Sequence, residues 1–194
     1  MAAKSNQVRI IAGRWRGRKL EFPDSQGLRP TSDRVRETLF NWLAPVLPGA
    51  VCLDLFAGSG ALGFEAASRD ASRVVMVEQN SAVFKHLQAQ SRRLSAQAVE
   101  LVNAEANDYL AGIDSAFDII FLDPPFGDAE LRQTAIQRIY ERHLVKPGGL
   151  IYLETEKGDI GPELPDSWQS YRHKQAGQVD YQLLSYTTDC IQDR

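Results

Sequence analysis

The chain has 194 residues, 43% hydrophobic and 24% charged, the size and balance of one substantial soluble domain with room for a small appendage. No apolar run approaches the roughly 20 residues of a membrane span, and the opening stretch has no apolar core of a secretory signal, so a cytoplasmic protein is expected. The net charge of −3 conceals an asymmetry: residues 1–40 hold nine Lys/Arg against four acids, and the remainder holds 13 against 21.

A basic arm on an acidic body suits a polyanionic partner, although a solvated, positively charged hairpin has the same composition. Residues 8–22 alternate loosely, with Gly13 and Gly17 as turn points, and predict a short β-hairpin. A loop rich in capping residues leads into a helix expected from Asp33 to Ala44. Val35, Leu39, Trp42 and Leu43 share one face of it, and Pro45 and Pro48 end it.

From Val51 onward strands and helices alternate. Strands are expected at Val51–Phe56, Arg73–Glu78, Val99–Val102, Phe117–Leu122 and Leu150–Glu154. The helices between them are expected at Ala61–Arg69, Asn80–Ser95, Glu105–Ala111 and Ala129–His143. Lys146 to Gly149 reads as a turn. Such alternation predicts a parallel sheet covered on both faces. The end differs: Trp168–Gln175 and Val179–Thr187 read as an antiparallel hairpin joined at Ala176-Gly177-Gln178, closing one sheet edge. The boundary falls near residue 49, separating an arm of residues 1–48 from a domain of residues 49–194.

Three loops carry chemistry. Asp54-Leu55-Phe56-Ala57-Gly58-Ser59-Gly60 follows the first parallel strand, and its small residues let backbone approach a ligand at a helix N-terminus. It lacks the third glycine of the dinucleotide fingerprint, so a tight strand-to-helix turn is the competing reading. Glu78 ends the next strand about 20 residues on, where an acid can accept both hydroxyls of a ribose. Glu105 follows the third strand and is placed either to meet an adenine amino group or to offset a helix dipole.

The sharpest signal is Asp123-Pro124-Pro125-Phe126. A buried strand stops abruptly there because proline cannot continue it. A carboxylate and the Pro124 carbonyl then stand where a ligand binds, with an aromatic ring beside them. Two acceptors suit the two N–H bonds of a planar exocyclic amine. Holding them returns electron density to a nitrogen that is otherwise a poor nucleophile and aims it at an electrophilic methyl. Orientation and fixed dipoles supply most of the rate gain in such a site. A base must leave its stack to reach it.

DLFAGSG (54–60), Glu78 and DPPF (123–126) together resemble the class I methyltransferases that use S-adenosylmethionine, in the subset that methylates amino groups. IIAGRWRGRKL (10–20), GLRPTSDRVRETLFNWL (27–43), CLDLFAGSGALGFEA (52–66) and AGQVDYQL (176–183) extend the resemblance over nearly the whole chain, to the RsmD family, which methylates guanine N2 in bacterial 16S ribosomal RNA. The resemblance implies an α/β, Rossmann-like fold: a seven-stranded, mostly parallel sheet with an antiparallel last strand, plus the N-terminal hairpin and helix. It implies S-adenosylmethionine as cofactor, held by Asp54, Phe56, Ala57, Gly58, Gly60, Glu78, Gln79, Ala104, Glu105 and Asp123, where many relatives carry Gly-Asp near the Ala104-Glu105 pair. Asp123, Pro124 and Phe126 are then the catalytic residues.

The same resemblance gives the arm a partner, the 16S RNA of the small subunit. Arg14, Arg16, Arg18, Lys19, Arg29, Arg34 and Arg36 are expected to grip phosphates and Trp15 to stack on a base. The alternatives are that Trp15 packs the hairpin on the body and that some of Arg29, Arg34 and Arg36, close to a short loop and helix start, order the active-site rim instead. A DNA amino methylase, a protein-glutamine methylase and a non-catalytic ribosome-assembly factor are competing functions. Cys52 and Cys190 make neither a disulfide framework nor a metal knuckle. The three histidines are scattered, no metal is expected, and the chain is expected to act as a monomer.

Overall fold

The structure is a computed structural model and describes residues 6–22, 31–125 and 128–187. Arg29, Phe126 and Cys190 lie outside the described residues. The arm opens with β1 (Asn6–Arg9) and β2 (Lys19–Phe22), an antiparallel pair in which Val8 faces Leu20. Alternation along these strands turns Val8, Leu20 and Phe22 inward and leaves Arg9, Lys19 and Glu21 exposed. Helix α1 (Asp33–Leu43) follows, its N-terminus capped by the Ser32 hydroxyl, which accepts from the Val35 N–H.

The body comprises β3 (Val51–Asp54), α2 (Ala61–Ser68), β4 (Arg73–Val77), α3 (Ser81–Leu94), β5 (Val99–Val102), α4 (Ala106–Gly112), β6 (Phe117–Leu122), α5 (Ala129–Glu141), β7 (Val145–Glu156), β8 (Trp168–Ala176) and β9 (Val179–Tyr186). The seven-stranded sheet runs β5-β4-β3-β6-β7-β9-β8. β3 to β7 pair in parallel, while β9 inserts antiparallel between β7 and β8. The strand order turns around between β3 and β6, and that switch opens a crevice at their C-terminal ends.

Two apolar layers sandwich the sheet. Leu53, Val75, Ile120 and Ile151 face α4 and α5. Cys52, Met76, Phe121, Tyr152 and Tyr181 face the other way and share one cluster with Val8, Ile10, Leu20, Leu39 and Phe40 of the arm. Phe40 meets Phe121 at 5.9 Å between ring centroids, and Trp42 meets Tyr181 at 5.5 Å. Fully burying a side chain such as Phe40 contributes about 2–3 kcal/mol. The arm is therefore built into the wall of the body.

Some boundaries differ from expectation. Lys146 to Gly149 is a bulge inside β7, where the pairing jumps from Phe117–Val145 to Ile119–Leu150 and Gly148 takes φ +75°. The first parallel strand ends at Asp54 because Leu55 to Gly60 already curls into the loop, with the Gly60 N–H donating to the Ala57 carbonyl at 2.7 Å. Helix α5 stops at Glu141, and His143 adopts a left-handed φ of +53°. On α1 the buried face holds Arg36 and Phe40 along with Val35, Leu39 and Leu43, whereas Trp42 is half-buried.

Candidate active site

The loop after β3 is tied to both neighbouring strands. The Leu55 N–H donates to the Phe121 carbonyl at 3.2 Å, and the Ala57 N–H to the Val77 carbonyl at 2.9 Å. Gly58 and Gly60 have φ of +50° and +80°, a left-handed path that a side chain would strain. At Gly60 a Cβ would also lie 2.6 Å from Phe64. Gly60 caps α2 without a side-chain hydrogen bond, so the start of that helix faces the crevice with its positive end.

Glu78 closes this loop from β4. Its Oε2 accepts from the Gly58 N–H at 3.0 Å and its Oε1 from the Asn80 N–H at 2.7 Å. Asn103 braces the same corner by donating to the Glu78 carbonyl at 2.7 Å. Gln79 is exposed beside it, and Phe56 and Ala104 are half-buried against the α4–α5 layer. Glu105 uses its carboxylate to cap α4, accepting from the Asp108 N–H at 3.3 Å.

Three carboxylates gather where β3, β6 and β7 end. Asp54 is 2% exposed, and its Oδ2 accepts from the Gly63 N–H at 2.9 Å. Burial pushes its carboxyl up to about 7; the Gly63 hydrogen bond opposes this and the Glu78 charge adds to it. Asp123, partly buried at the end of β6, accepts from the Thr31 hydroxyl at 3.0 Å. Desolvation and the Glu154 carboxylate hold its carboxyl well above the usual range, against the pull of Thr31. Pro124 is buried and Pro125 exposed. Glu154 on β7 is 4% exposed and accepts from the Tyr152 hydroxyl at 2.7 Å. Burial raises its carboxyl too, against that hydrogen bond, and pushes the Tyr152 phenol far up.

Thr31, Tyr152 and Glu154 escaped the sequence reading. Thr31 lies 92 residues from Asp123 in the chain. A glutamate two residues after a core tyrosine at a strand's C-terminal end was the available signal for Glu154.

The arm's tip lies elsewhere. The Arg14 N–H donates to the Ser68 carbonyl at 2.8 Å, and the Trp15 N–H to the Ser68 hydroxyl at 3.0 Å. Ser68 ends α2, eight residues and about 12 Å from the glycine loop. Arg14, Arg16, Arg18 and Lys19 are exposed, and Arg14, beside the end of α2 away from the glycine loop, pairs with Asp70 at 2.7 Å. Trp15 is half-buried against the core. Arg34 is exposed in the first turn of α1, three residues beyond Thr31.

Arg36 departs from the expected phosphate grip. Its side chain is fully buried and donates to the Arg9 carbonyl at 2.8 Å and to Asp33 at 2.6 Å, with Glu65 at 3.6 Å. It clamps the arm because helical spacing puts it on the same inward face as Phe40. Cys52 is likewise internal; burial, Asp118 and Asp54 push its thiol up to about 12, so it is no nucleophile at neutral pH. Among the described residues no group of His, Cys, Asp and Glu is arranged to hold a metal.

Residues 8–185 match the family model described as Conserved hypothetical protein 95. Ribosomal RNA small subunit methyltransferase D of Escherichia coli (strain K12) is 49% identical over 179 residues, 92% of this chain and 90% of the relative. The protein of the same name from Haemophilus influenzae is 46% identical over 181 residues, 91% and 93% of the two chains. The solved structure of the putative methyltransferase yhhF from Escherichia coli has a TM-score of 0.88 at 44% identity, covering 94% of this chain and 99% of that one. The putative methylase HI0767 from Haemophilus influenzae has a TM-score of 0.80 at 42% identity, covering 94% and 100%. A glycine loop closed by Glu78, an acid-ended β6 and an arm built into the core thus accompany a match over nearly the whole chain, and the chain belongs to the Conserved hypothetical protein 95 family, the RsmD family of methyltransferases.

Proposed function

We propose that the protein transfers the methyl group of S-adenosylmethionine to the exocyclic N2 of a guanine in the 16S RNA of the small ribosomal subunit, the nucleotide conventionally numbered 966. The observation that carries this reading is the position of Asp123: it ends β6 directly beside the strand whose loop holds Gly58 and Gly60. The curated relatives named as small subunit methyltransferases supply the substrate class.

The residues present fit the cofactor. The start of α2, where Gly60 offers no side-chain cap, suits the carboxylate of its methionine end. Glu78, already fixed by two backbone N–H groups, keeps lone pairs for the ribose hydroxyls. Ala104 and Glu105 flank the adenine. Once bound, S-adenosylmethionine supplies an electrophilic methyl carbon on a sulfonium.

The chain's own part is recognition, orientation and proton handling. Thr31 occupies Oδ2 of Asp123 and so fixes the carboxylate plane. The remaining oxygen and the Pro124 carbonyl accept the two N–H bonds of N2, and Phe126 stacks on the base. Held this way, the nitrogen lone pair points along the line of attack, and truncating one such preorganised partner costs about 10²–10³ in turnover. The proton that N2 sheds passes to Asp123, whose proton affinity is raised by burial and by Glu154.

Arg14, Arg16, Arg18 and Lys19 grip RNA backbone away from the target nucleotide, while Arg34, three residues beyond Thr31, lies on its side of the molecule. The protein acts in the cytoplasm as a monomer. Incubating it with labelled cofactor and, separately, small subunits lacking the modification, naked 16S RNA, DNA and protein substrates tests the assignment. Label is expected in the 16S RNA as N2-methylguanine. Label confined to DNA bases or to a protein glutamine overturns it.

A further inference from the structure

Asp54, Asp123 and Glu154 stand on one face of the sheet at the ends of three adjacent strands. Asp54 pairs across the ladder with Phe121, two residues before Asp123. Leu122 pairs with Leu153, which makes Asp123 and Glu154 neighbours one step further on. Each receives one described neutral donor: Gly63 N–H, the Thr31 hydroxyl and the Tyr152 hydroxyl. No described Lys, Arg or His forms an ion pair with any of the three; the buried Arg36 guanidinium donates through Nη2 to Asp33 and the Arg9 carbonyl and pairs with Glu65 at 3.6 Å, its Nε and Nη1 making no hydrogen bond. The other titratable groups facing the cluster are Glu78, Tyr152 and Tyr181, none of them cationic.

Buried carboxylates without a cation are costly, and what relieves them is a positive charge. The three do not converge as metal ligands among the described residues. Under the methyltransferase reading, on which this inference rests, the methyl donor is itself a cation and its demethylated product is a neutral thioether. The pair differ by one methyl and one charge, so charge is the property by which a buried anionic pocket tells them apart.

We propose that Glu154 is a specificity-determining residue of the cofactor site: its buried carboxylate, beside Asp123, makes the pocket select the sulfonium of S-adenosylmethionine over the neutral S-adenosylhomocysteine. Glu154 is suited to this role because Tyr152 holds it in place and it does not end the catalytic strand. After transfer the pocket has lost its cation, and the spent cofactor is released.

Titration calorimetry on the full chain, with each of the two ligands at pH 8 and at stepwise lower pH, tests this without RNA. Glu154→Gln keeps an oxygen for Tyr152 and removes the charge. It is expected to lower the ratio of sulfonium to thioether affinity at pH 8 by about tenfold, chiefly by weakening the sulfonium ligand, while Glu154→Asp holds the ratio. In the wild type the ratio is expected to fall once pH drops far enough for the carboxyls, raised by burial, to take up protons. A ratio that moves less than about twofold in Glu154→Gln overturns the proposal. Should that variant fail to fold, a wild-type ratio that stays flat from pH 8 down to the lowest pH at which the chain remains folded overturns it instead. A wild-type chain that binds neither ligand sinks the methyltransferase reading; one that binds both, indifferent to Glu154, sinks only this inference.

Discussion

Asp54 holds the N–H of Gly63 at 2.9 Å and is otherwise out of water, so its carboxyl stays protonated up to about pH 7. The ordinary carboxylate value is 3.8, so between about pH 4 and 7 the folded chain binds more protons here than the unfolded one. Stability from this residue is therefore present at acid pH and lost as pH rises through that window. Asp54→Asn keeps an acceptor for Gly63 and removes the penalty. Urea unfolding is expected to find it more stable than wild type at pH 8, by about 1–3 kcal/mol, and level with it below about pH 4. An equal difference at both pH values contradicts this account of Asp54. Asp123 was legible from sequence because its whole motif is local: an apolar strand, an acid and two prolines. Thr31 and Glu154 were not, because chain folding over long separations brings them to the site.

Helix α2 is where the arm meets the body. Glu65, fully buried, accepts from the N–H groups of Ile11 at 2.7 Å and Ala12 at 3.0 Å, and from Arg69 at 2.7 Å, with Arg36 nearby. Gly13 sits so close that a Cβ would lie 1.9 Å from the Ser68 carbonyl oxygen. Glu65→Ala strips Arg36 of a buried countercharge and leaves two backbone donors without their partner, at a cost of about 3–5 kcal/mol. Denaturant unfolding should report that loss, and hydrogen exchange should quicken at residues 10–18. A loss below about 1 kcal/mol would show that the arm is held by its apolar contacts alone. The hairpin, α1 and the body strands were readable from periodicity, as was the terminal hairpin from its turn residues. The burial of Arg36 was readable only by weighing its four-residue spacing from Phe40 above its charge. The bulge in β7 was hidden because Lys-Pro-Gly-Gly has the composition of a turn, and only pairing with β6 keeps it in the strand.

Across the whole molecule, the basic tip of the arm lies at the end of α2 away from the glycine loop, whereas Asp54, Asp123 and Glu154 stand at the ends of the central strands β3, β6 and β7. Under the proposed function, RNA held by the arm's tip has to reach from there to present a base at β6. Arg16 and Arg18 are exposed at the arm's tip. Converting both to glutamate is expected to weaken RNA binding at least tenfold and to lower the salt dependence by roughly one logarithmic unit per lost phosphate contact. Cofactor affinity should be unchanged, as the tip lies about 12 Å along α2 from the glycine loop. An unaltered salt slope would place the RNA elsewhere. The division into a basic arm and an acidic body was visible in the charge count; the distance between them depends on the direction of α2 and was not.

The account turns on Asp123 as the group that orients the target amine. The direct measurement is labelled methyl transfer to small subunits from cells lacking the enzyme, with the modified nucleotide mapped by mass spectrometry, for wild type and for Asp123→Ala. Wild type is expected to yield N2-methylguanine at a single 16S position. The variant is expected to bind the cofactor and lose turnover by about a hundredfold or more. Transfer at the wild-type rate by Asp123→Ala, to the same nucleotide, would contradict it.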